Sequence, residues 1–316
     1  MATCAWGQTA SISAPNIGKV VAGATGVTTF RFASSTGNVT ITGPGTGYRL
    51  TTPTARFTVT IPCINNNYCK NSNMKVVVTA LGGTAGSRAK TLTNLTFTNS
   101  TATMVSNPTQ PASSLTFTIG AIGNNNTVSF FLGGDLPIDG DDQTSETTGA
   151  LTSAIQVTTS QTNGNGAINS GGSVGVTVDR GLKITENPAI NFGRIFVPTG
   201  AASVSLPASS GPTGARSLTG TGGLASPTPR VGNYTITGEG GQLFSLSVQT
   251  SFNLSNGTTT IPVTTSTTGQ GTQILSGSSG SAGSYGPFYV GGSFSLDQTT
   301  SQGAYSGTFL ITASYN

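Results

Sequence analysis

The sequence has 316 residues with 13 basic and nine acidic side chains, a formal charge of +4 and no histidine. Charged residues make up 7% of it, against about 25% in ordinary globular proteins. Basic residues that are scattered singly give no support for a nucleic-acid partner, and nine carboxylates without histidine offer little for acid–base catalysis, so we expect no enzyme.

The rest of the composition is rich in Thr, Ser, Gly and Asn, with 45 glycines and 34% apolar residues. Many β-branched residues and a low net charge argue against disorder and favour sheets with one face in water. No apolar run approaches the roughly 20 residues of a membrane helix, so the sequence predicts no membrane span.

The chain begins with a segment of small residues that contains Cys4 and the single tryptophan, Trp6. This segment has neither the charged nor the apolar region of a signal peptide, so in a secreted protein that peptide would lie outside this numbering. An exposed tryptophan is unusual unless it docks into a partner. Trp6 is therefore a candidate assembly residue, and packing under its own first domain is an equal alternative.

Three cysteines, Cys4, Cys63 and Cys69, leave one thiol unpaired within the chain. Cys63 and Cys69 flank a polar loop that a disulfide could close, and a Cys4–Cys63 bond is the competing pair. Metal binding is disfavoured because histidine and the C-x-x-C spacing are both missing. The cysteines favour an oxidising compartment.

Apolar and polar residues alternate along many short runs, which predicts half-buried strands. The clearest runs are residues 57–61, 75–79, 115–119, 234–237 and 243–248. Gly, Pro and Asn-Gly clusters interrupt the runs about every ten residues, as in antiparallel sandwiches. Helical periodicity is almost absent, so we expect an all-β fold.

The densest group of acids lies in residues 135–146, which resemble an EF-hand loop in part. Acids stand at the first, fifth and twelfth places and Gly at the sixth, but Pro137 fills a ligand position and no helices flank the loop. A calcium site would use Asp135, Asp139, Asp141 and Glu146. The alternative is a solvated hairpin tip without a metal.

Residues 161–172 (QTNGNGAINSGG) have the composition of a linker. The run that follows, residues 173–179, alternates Val174, Val176 and Val178 with smaller residues. This run forms either an extra strand of the second domain or a strand that completes the sheet of the first.

The sequence contains a tandem repeat, which outranks local signals when a fold is predicted. Residues 130–136 (FFLGGDL) reappear as 288–294 (FYVGGSF), and the earlier NIGKV at 16–20 reappears as NFGRI at 191–195. Two copies of this length predict two similar whole domains. We expect two tandem immunoglobulin-like antiparallel β-sandwiches, with domain one at 1–162, a linker or extra strand at 163–180, and domain two at 181–316.

The last run of copy two, residues 308–316, places Phe309, Ile311 and Tyr315 on one apolar face. A Gly-Ala pair precedes it at 303–304 and has a counterpart at 149–150 in copy one. The matching run in copy one, residues 151–158, is less apolar. The three apolar residues of copy two are therefore candidates for assembly, together with the valines of 173–179.

From Gly181 to the C-terminus, copy two resembles the bacterial secreted family catalogued as domain of unknown function 4402. The motifs that carry the resemblance are LKIT at 182–185, NFG at 191–193, PTGAR at 212–216, YTITG at 234–238, VGG at 290–292 and GAYSGTF at 303–309. Copy one looks like a diverged version, because it keeps the Ile-Gly and Leu-Gly-Gly motifs but replaces Tyr-Ser-Gly with Leu-Thr-Ser.

Both copies are also similar in layout to spore coat U domains and to chaperone-usher pilus subunits, whose final strand ends in a penultimate tyrosine like Tyr315. In those subunits a sandwich that lacks one strand has an apolar groove, which a neighbour's strand fills through backbone hydrogen bonds. The resemblance therefore implies strand donation, either by residues 2–13 or, within the chain, by residues 173–179. Head-to-tail contacts that do not close into a ring give filaments.

These observations predict a structural subunit of an extracellular fibre or coat at a bacterial cell surface. The expected partners are copies of the chain itself and a secretion chaperone or usher. We expect no cofactor apart from the calcium alternative. The second hypothesis is an adhesin or a module that binds glycan or protein at the cell surface, and self-association distinguishes the two, because a tip adhesin caps a fibre.

Overall fold

The computed structural model describes residues 8–64 and 66–316. The chain divides into two compact units, Met1–Gly181 and Leu182–Asn316. The described residues form 25 strands, one α-helix of five residues (α1, Asn67–Asn71) and one 3₁₀ turn (Ala208–Ser210). The all-β prediction is confirmed.

The first unit contains thirteen strands in two sheets. The strands are β1 (Ser11–Ile12), β2 (Asn16–Val21), β3 (Val27–Phe32), β4 (Val39–Thr42), β5 (Tyr48–Arg49), β6 (Phe57–Pro62), β7 (Met74–Gly83), β8 (Thr93–Asn99), β9 (Met104–Ser106), β10 (Ser114–Ile119), β11 (Thr127–Asp139), β12 (Gly149–Gln161) and β13 (Ile168–Asp179). One sheet has the order β1-β6-β11-β3-β4, with β8 also paired to β11, and the other has the order β5-β2-β13-β12-β7-β10-β9. Strands β2 and β13 run parallel.

The two sheets of the first unit pack face to face because each strand buries every second side chain. Val59 and Ile61 of β6 belong to one sheet and Val76 and Val78 of β7 to the other, and all four are fully buried in a single apolar cluster. The alternating runs of the sequence thus produce a two-layer sandwich.

The Asn- and Gly-rich segment predicted as a linker, residues 161–172, belongs to a hairpin instead. The backbone N–H of Gln161 donates to the carbonyl of Asn165, and Gly164 has φ +87°, which a tight turn requires and glycine permits. The rest of the segment enters β13, which pairs with β12 along its length. The prediction was wrong because glycine and asparagine are as typical of tight turns as of linkers.

A disulfide joins Cys63 to Cys69, which lies within α1, with the two Cα atoms 5.8 Å apart. The Asn66 side chain caps this helix by accepting a hydrogen bond from the Tyr68 N–H at 2.9 Å. Of the two pairings that the sequence left open, the structure thus has the one that flanks the polar loop. Cys4 lies outside the described residues.

The second unit contains twelve strands. They are β14 (Lys183–Glu186), β15 (Arg194–Phe196), β16 (Ala202–Leu206), β17 (Ser217–Gly220), β18 (Gly223–Ala225), β19 (Gly232–Glu239), β20 (Leu243–Val248), β21 (Ser251–Ser255), β22 (Thr260–Thr267), β23 (Gly271–Ile274), β24 (Ala282–Leu296) and β25 (Ile311–Tyr315). The largest sheet has the order β14-β19-β24-β16-β17, and β22 also pairs with β24. Two small sheets, β15-β18 and β23-β20-β25, complete the unit.

The repeated double glycine marks the point where one long central strand of each unit, β11 or β24, changes its neighbour. Strand β11 pairs with β6 up to Leu132 and with β3 from Gly134 onward, and β24 passes in the same way from β19 to β16. A Cβ on Gly133 would lie 2.3 Å from the carbonyl oxygen of Phe32, and one on Gly291 would lie 2.0 Å from that of Leu206. Both positions therefore need glycine because a neighbouring backbone approaches too closely for a side chain.

Candidate strand-acceptor groove in the second unit

The six-stranded sheet of the first unit and the largest sheet of the second unit have the same strand order. The order β1-β6-β11-β3-β4 in the first unit corresponds strand for strand to β14-β19-β24-β16-β17 in the second. In each, the long strand with the double glycine lies in the middle and pairs with one further strand, β8 or β22. The two units therefore provide an internal comparison for the remaining strands.

The other sheet is continuous in the first unit and divided in the second. In the first unit β13 lies between β2 and β12, parallel to β2 and antiparallel to β12. In the second unit the counterpart of β2 is β15, paired with β18, and the counterpart of β12 is β25, paired with β20. No strand of the described residues joins β15 to β25, so the second unit has an open strand position where the first has β13.

Two features fix the correspondence between β12 and β25. The Gly-Ala pairs begin at Gly149 and Gly303, which are 154 positions apart. Gln161 lies opposite Met74, the first buried residue of β7, and Tyr315 lies opposite Phe244, the first buried residue of β20. Positions 161 and 315 are also 154 apart, so sequence motif and strand register give the same alignment.

The turn that leads into β2 and β15 is also the same in both units. The side-chain oxygen of Asn16 accepts a hydrogen bond from the Gly18 N–H at 2.7 Å, and Asn191 accepts one from Gly193 at 2.7 Å. Both glycines have a positive φ, +95° and +71°, which the turn requires. Strand β15 is therefore held in the conformation of β2 although the strand that would cover it is missing from the described residues.

An arginine fixes this turn in each unit. Arg49 donates to the carbonyl oxygen of Ile17 at 2.9 Å, and Arg216 donates to the carbonyl oxygens of Phe192, Arg194 and Ala225. Burial lowers the pKa of both guanidinium groups from the ordinary arginine value. The carbonyl oxygens of the turn thus accept hydrogen bonds from a charged guanidinium, and these bonds stabilise the turn.

Side chains next to the open strand position of the second unit are more exposed than their counterparts in the first unit. Val21 of β2 is 1% exposed, whereas Phe196, its counterpart in β15, is 54% exposed. Ile155 of β12 is fully buried, whereas its counterpart Phe309 is half-buried. The apolar surface that β13 covers in the first unit is therefore partly open to solvent in the second.

A groove of about 860 Å³ occupies this position. Its lining comes from residues 190–198 around β15, from the ends of β21, β22 and β24, and from residues 300–307 before β25. Phe252 forms part of the floor, with its ring 5.2 Å from that of Phe309. The groove combines apolar and polar side chains, and the edge of β15 lies along it, features that suit an extended peptide.

In the second unit, the Tyr315 hydroxyl connects β25 to the largest sheet, whereas the Tyr234 hydroxyl connects two neighbouring strands within that sheet. The Tyr315 hydroxyl accepts a hydrogen bond from the Glu239 N–H at 2.8 Å, and the Tyr234 hydroxyl donates to Glu186 at 2.6 Å. Burial and this carboxylate raise the pKa of Tyr234 above its ordinary value. The predicted role of Tyr315 in assembly is thus accompanied by a structural one, because its hydroxyl ties β25 to β19.

The structure separates the predicted assembly residues into two groups. Val174, Val176 and Val178 are buried in the first unit's own core, so they complete its sheet and are not exposed to another molecule. Phe309 and Ile311 are half-buried in the second unit near the open position. Trp6 lies outside the described residues. Sequence reasoning gave no role to Arg216, Phe196 and Phe252, although the PTGAR motif ends at Arg216 and Phe196 directly follows the repeated NFGRI motif.

The N-terminal donor segment predicted at residues 2–13 is partly engaged in the first unit. Ser11 and Ile12 form β1 against β6, the Gln8 N–H donates to the Thr159 hydroxyl at 2.9 Å, and the Ala10 N–H donates to Ser170 at 2.8 Å. These contacts contradict donation by residues 8–13, because their backbone groups are already bonded within the unit. Residues 2–7 lie outside the described part.

The acidic turn does not form the predicted calcium site among the described residues. Asp135 pairs with Arg31 at 2.7 Å, Asp141 pairs with Arg88, and Lys90 lies between Asp139 at 3.1 Å and Glu146. Residues 8–64 and 66–316 contain no group of three or more His, Cys, Asp or Glu side chains placed to hold a metal ion. Lysine and arginine charges occupy the place where the sequence suggested a cation.

Comparisons with known proteins agree with the resemblance found in the sequence. The model of the family described as "Domain of unknown function (DUF4402)" matches residues 182–315, which confirms the resemblance of the second copy. No curated protein sequence matches the chain. Among the helices of the described residues, none is long and apolar enough to cross a membrane.

Two solved structures illustrate the neighbours of the fold. The complex of CsuC with the tip adhesion subunit CsuE from archaic Csu pili of Acinetobacter baumannii matches at a TM-score of 0.29 and 10% identity, over 96% of this chain and 99% of that one. AggA, the major subunit of aggregative adherence fimbriae type I of Escherichia coli, matches at 0.25 and 12% identity, over 54% and 93%. At these TM-scores the likeness establishes no function for this chain.

Proposed function

We propose that the protein is a structural subunit of a bacterial surface fibre, joined to the next copy by a strand that the copy inserts into the groove of the second unit. One observation supports this most strongly. The sheet of the second unit is divided at the one position that β13 fills in the first unit.

Two features of the second unit favour strand insertion: the open edges of β15 and β25, and the partly exposed apolar side chains beside them. Strand edges present unpaired backbone groups and readily accept a further strand. An inserted strand would satisfy these groups on β15 and β25 and cover Phe196, Phe309 and Ile311. Burial of each large apolar side chain contributes about 1.5–3 kcal/mol.

A second function has its own support. The first unit carries its own closing strand, β13, so it is complete without a partner and can serve as a binding module. In that case the chain is an adhesin that accepts a strand at the end of a fibre. Electron microscopy of the purified protein distinguishes the two, because the fibre subunit forms filaments alone and the adhesin does not.

The sharpest test gives the second unit a closing strand of its own. Because Gln161 corresponds to Tyr315, a copy of residues 163–179 appended after Asn316 places a β13 strand beside β25. We expect this self-complemented variant to raise the melting temperature of the second unit by about 10 °C. We also expect it to abolish self-association in sedimentation velocity.

The matched control carries the same extension with the three valines replaced by serine. It should behave like the unmodified chain, since serine cannot fill apolar pockets. An unchanged melting temperature and unchanged self-association in the valine variant would show that the second unit does not accept a strand.

A further inference from the structure

The closing strand of the first unit ends in an ion pair. The carboxylate of Asp179, the last residue of β13, lies 2.9 Å from the Lys19 ammonium, and the Asp179 side chain is fully buried. Because β13 runs parallel to β2, the two residues meet near the same end of the strand pair, where Thr177 lies opposite Lys19. The backbone continues the contact, since the Ala22 N–H donates to the Asp179 carbonyl at 2.8 Å.

This ion pair restricts which strand can close the sheet. A buried carboxylate that loses its cation is strongly destabilising, whereas the paired one is tolerated. Lys19 therefore favours a strand beside β2 that has an acidic residue at its end, as β13 has. The same reasoning applies to whichever residue occupies the Lys19 position in the second unit.

Arg194 occupies that position. It follows the Asn191–Gly193 turn as Lys19 follows the Asn16–Gly18 turn, and it lies in the exposed β15. Its guanidinium carbon is 5.8 Å from the centre of the Phe196 ring, and none of the ion pairs among the described residues includes it.

The second unit offers Arg194 no carboxylate of its own. Each of its three acids accepts a hydrogen bond from an uncharged donor: Glu186 from the Tyr234 hydroxyl, Glu239 from the Gly280 N–H, and Asp297 from Thr299. A carboxylate on an inserted strand would give Arg194 the kind of partner that Asp179 gives Lys19.

We propose that the strand accepted by the second unit carries an acidic residue directly after its alternating apolar residues, at the place of Asp179 in β13, and that Arg194 selects it. This inference rests on the proposed function. The partner is thus an extended segment with small or β-branched apolar residues at every second position and a carboxylate at its end. Arginine suits this role because its planar guanidinium can bind a carboxylate in a bidentate manner.

The test uses peptides with the sequence of β13, INSGGSVGVTVD, blocked at both termini so that only the side chain supplies the charge. Three peptides carry Asp, Asn or Lys at the last position, and calorimetry measures their binding to the full chain. The Asp peptide should bind about tenfold more tightly than the Asn peptide, and the difference should shrink at high salt. The Lys peptide should bind most weakly.

Two variants of the protein sharpen the result. Arg194→Glu should reverse the preference, so that the Lys peptide binds more tightly than the Asp peptide. Lys183→Glu changes the same charge on exposed β14, in the other sheet, and should leave the preference unchanged. The self-complemented variant should bind none of the peptides, since its groove is filled.

The outcomes separate the two proposals. Equal affinities of the Asp and Asn peptides for the unmodified chain would overturn selection by Arg194 and leave strand acceptance intact. Failure of all three peptides to bind would contradict strand acceptance itself, and the selection that depends on it.

Discussion

Asp135 is one of the acids of residues 135–146, and its contacts are those of an ion pair between strands. It lies on β11 opposite Arg31 of β3, and its two oxygens accept from the Arg31 guanidinium at 2.7 and 2.8 Å. The Asn94 amide donates a third hydrogen bond at 2.8 Å. Although burial raises it, these hydrogen bonds and the Arg31 charge hold the pKa of Asp135 below its ordinary value. The carboxylate therefore binds two strands to β11.

We predict that Asp135→Asn lowers the free energy of unfolding of the first unit by about 1–3 kcal/mol at pH 7. A lowered pKa gives stability that is present above the unfolded value of about 4 and is lost as the pH falls through the folded value. The difference between the unmodified chain and the variant should therefore shrink between about pH 5 and pH 2. Denaturant unfolding across this range measures it.

Asp142→Asn is the matched control, because Asp142 is exposed in the same turn. It should change stability by less than about 0.5 kcal/mol at every pH. A loss as large as that of Asp135→Asn, or a difference that does not depend on pH, would contradict the role given to the Arg31 pair.

At the scale of elements, alternation in the sequence was enough to locate many strands. Residues 57–61, 115–119 and 243–248 lie within β6, β10 and β20. Their side chains alternate between core and solvent, and an alternation of apolar and polar residues in the sequence predicts this arrangement. The repeat was also informative, because the matching motifs fall at matching places in the two units.

The role of β13 could not be predicted in the same way. Its pairing with β2 joins residues 158 or 159 positions apart, and neither segment contains a local signal for this pairing. The valines of 173–179 left two interpretations open, and only the packed sheet decides between them. The open position in the second unit was equally hidden, because it depends on a strand that is missing from the described residues.

We predict that Val176→Asp opens the first unit. Val176 lies opposite Leu151 and is buried between the sheets, so an aspartate there places an unpaired charge in the core, at a cost of several kcal/mol. Strand β13 should then leave the sheet, and thermal unfolding should show a large loss of stability in the first unit alone.

Thr177→Asp tests the same strand at the next position, which is half-exposed. Since this side chain points away from the core, the variant should keep most of the stability. An equal loss of stability in the two variants would mean that β13 tolerates no charge on either face. The apolar face would then not be what keeps the strand in the sheet.

At the scale of the whole molecule, the chain combines one complete unit and one open unit. The same topology is used twice, but only the first copy is followed by a strand that closes it within the described residues. In the proposed fibre, the open groove of the second unit would give assembly a direction, since a donated strand would enter there on each molecule. Repeated head-to-tail addition of this kind produces an open filament.

Hydrogen exchange measured by mass spectrometry, with and without the β13 peptide, tests strand acceptance most directly. We predict that, within residues 194–197 and 309–315, the backbone N–H groups that do not bond to β18 or β20 exchange rapidly in the free chain. They should become protected when the peptide binds, because they then pair with the inserted strand. Segments of β2 and β12 should not change, since β13 already covers them. Unchanged exchange at both edges of the groove, at peptide concentrations that saturate binding, would contradict the account.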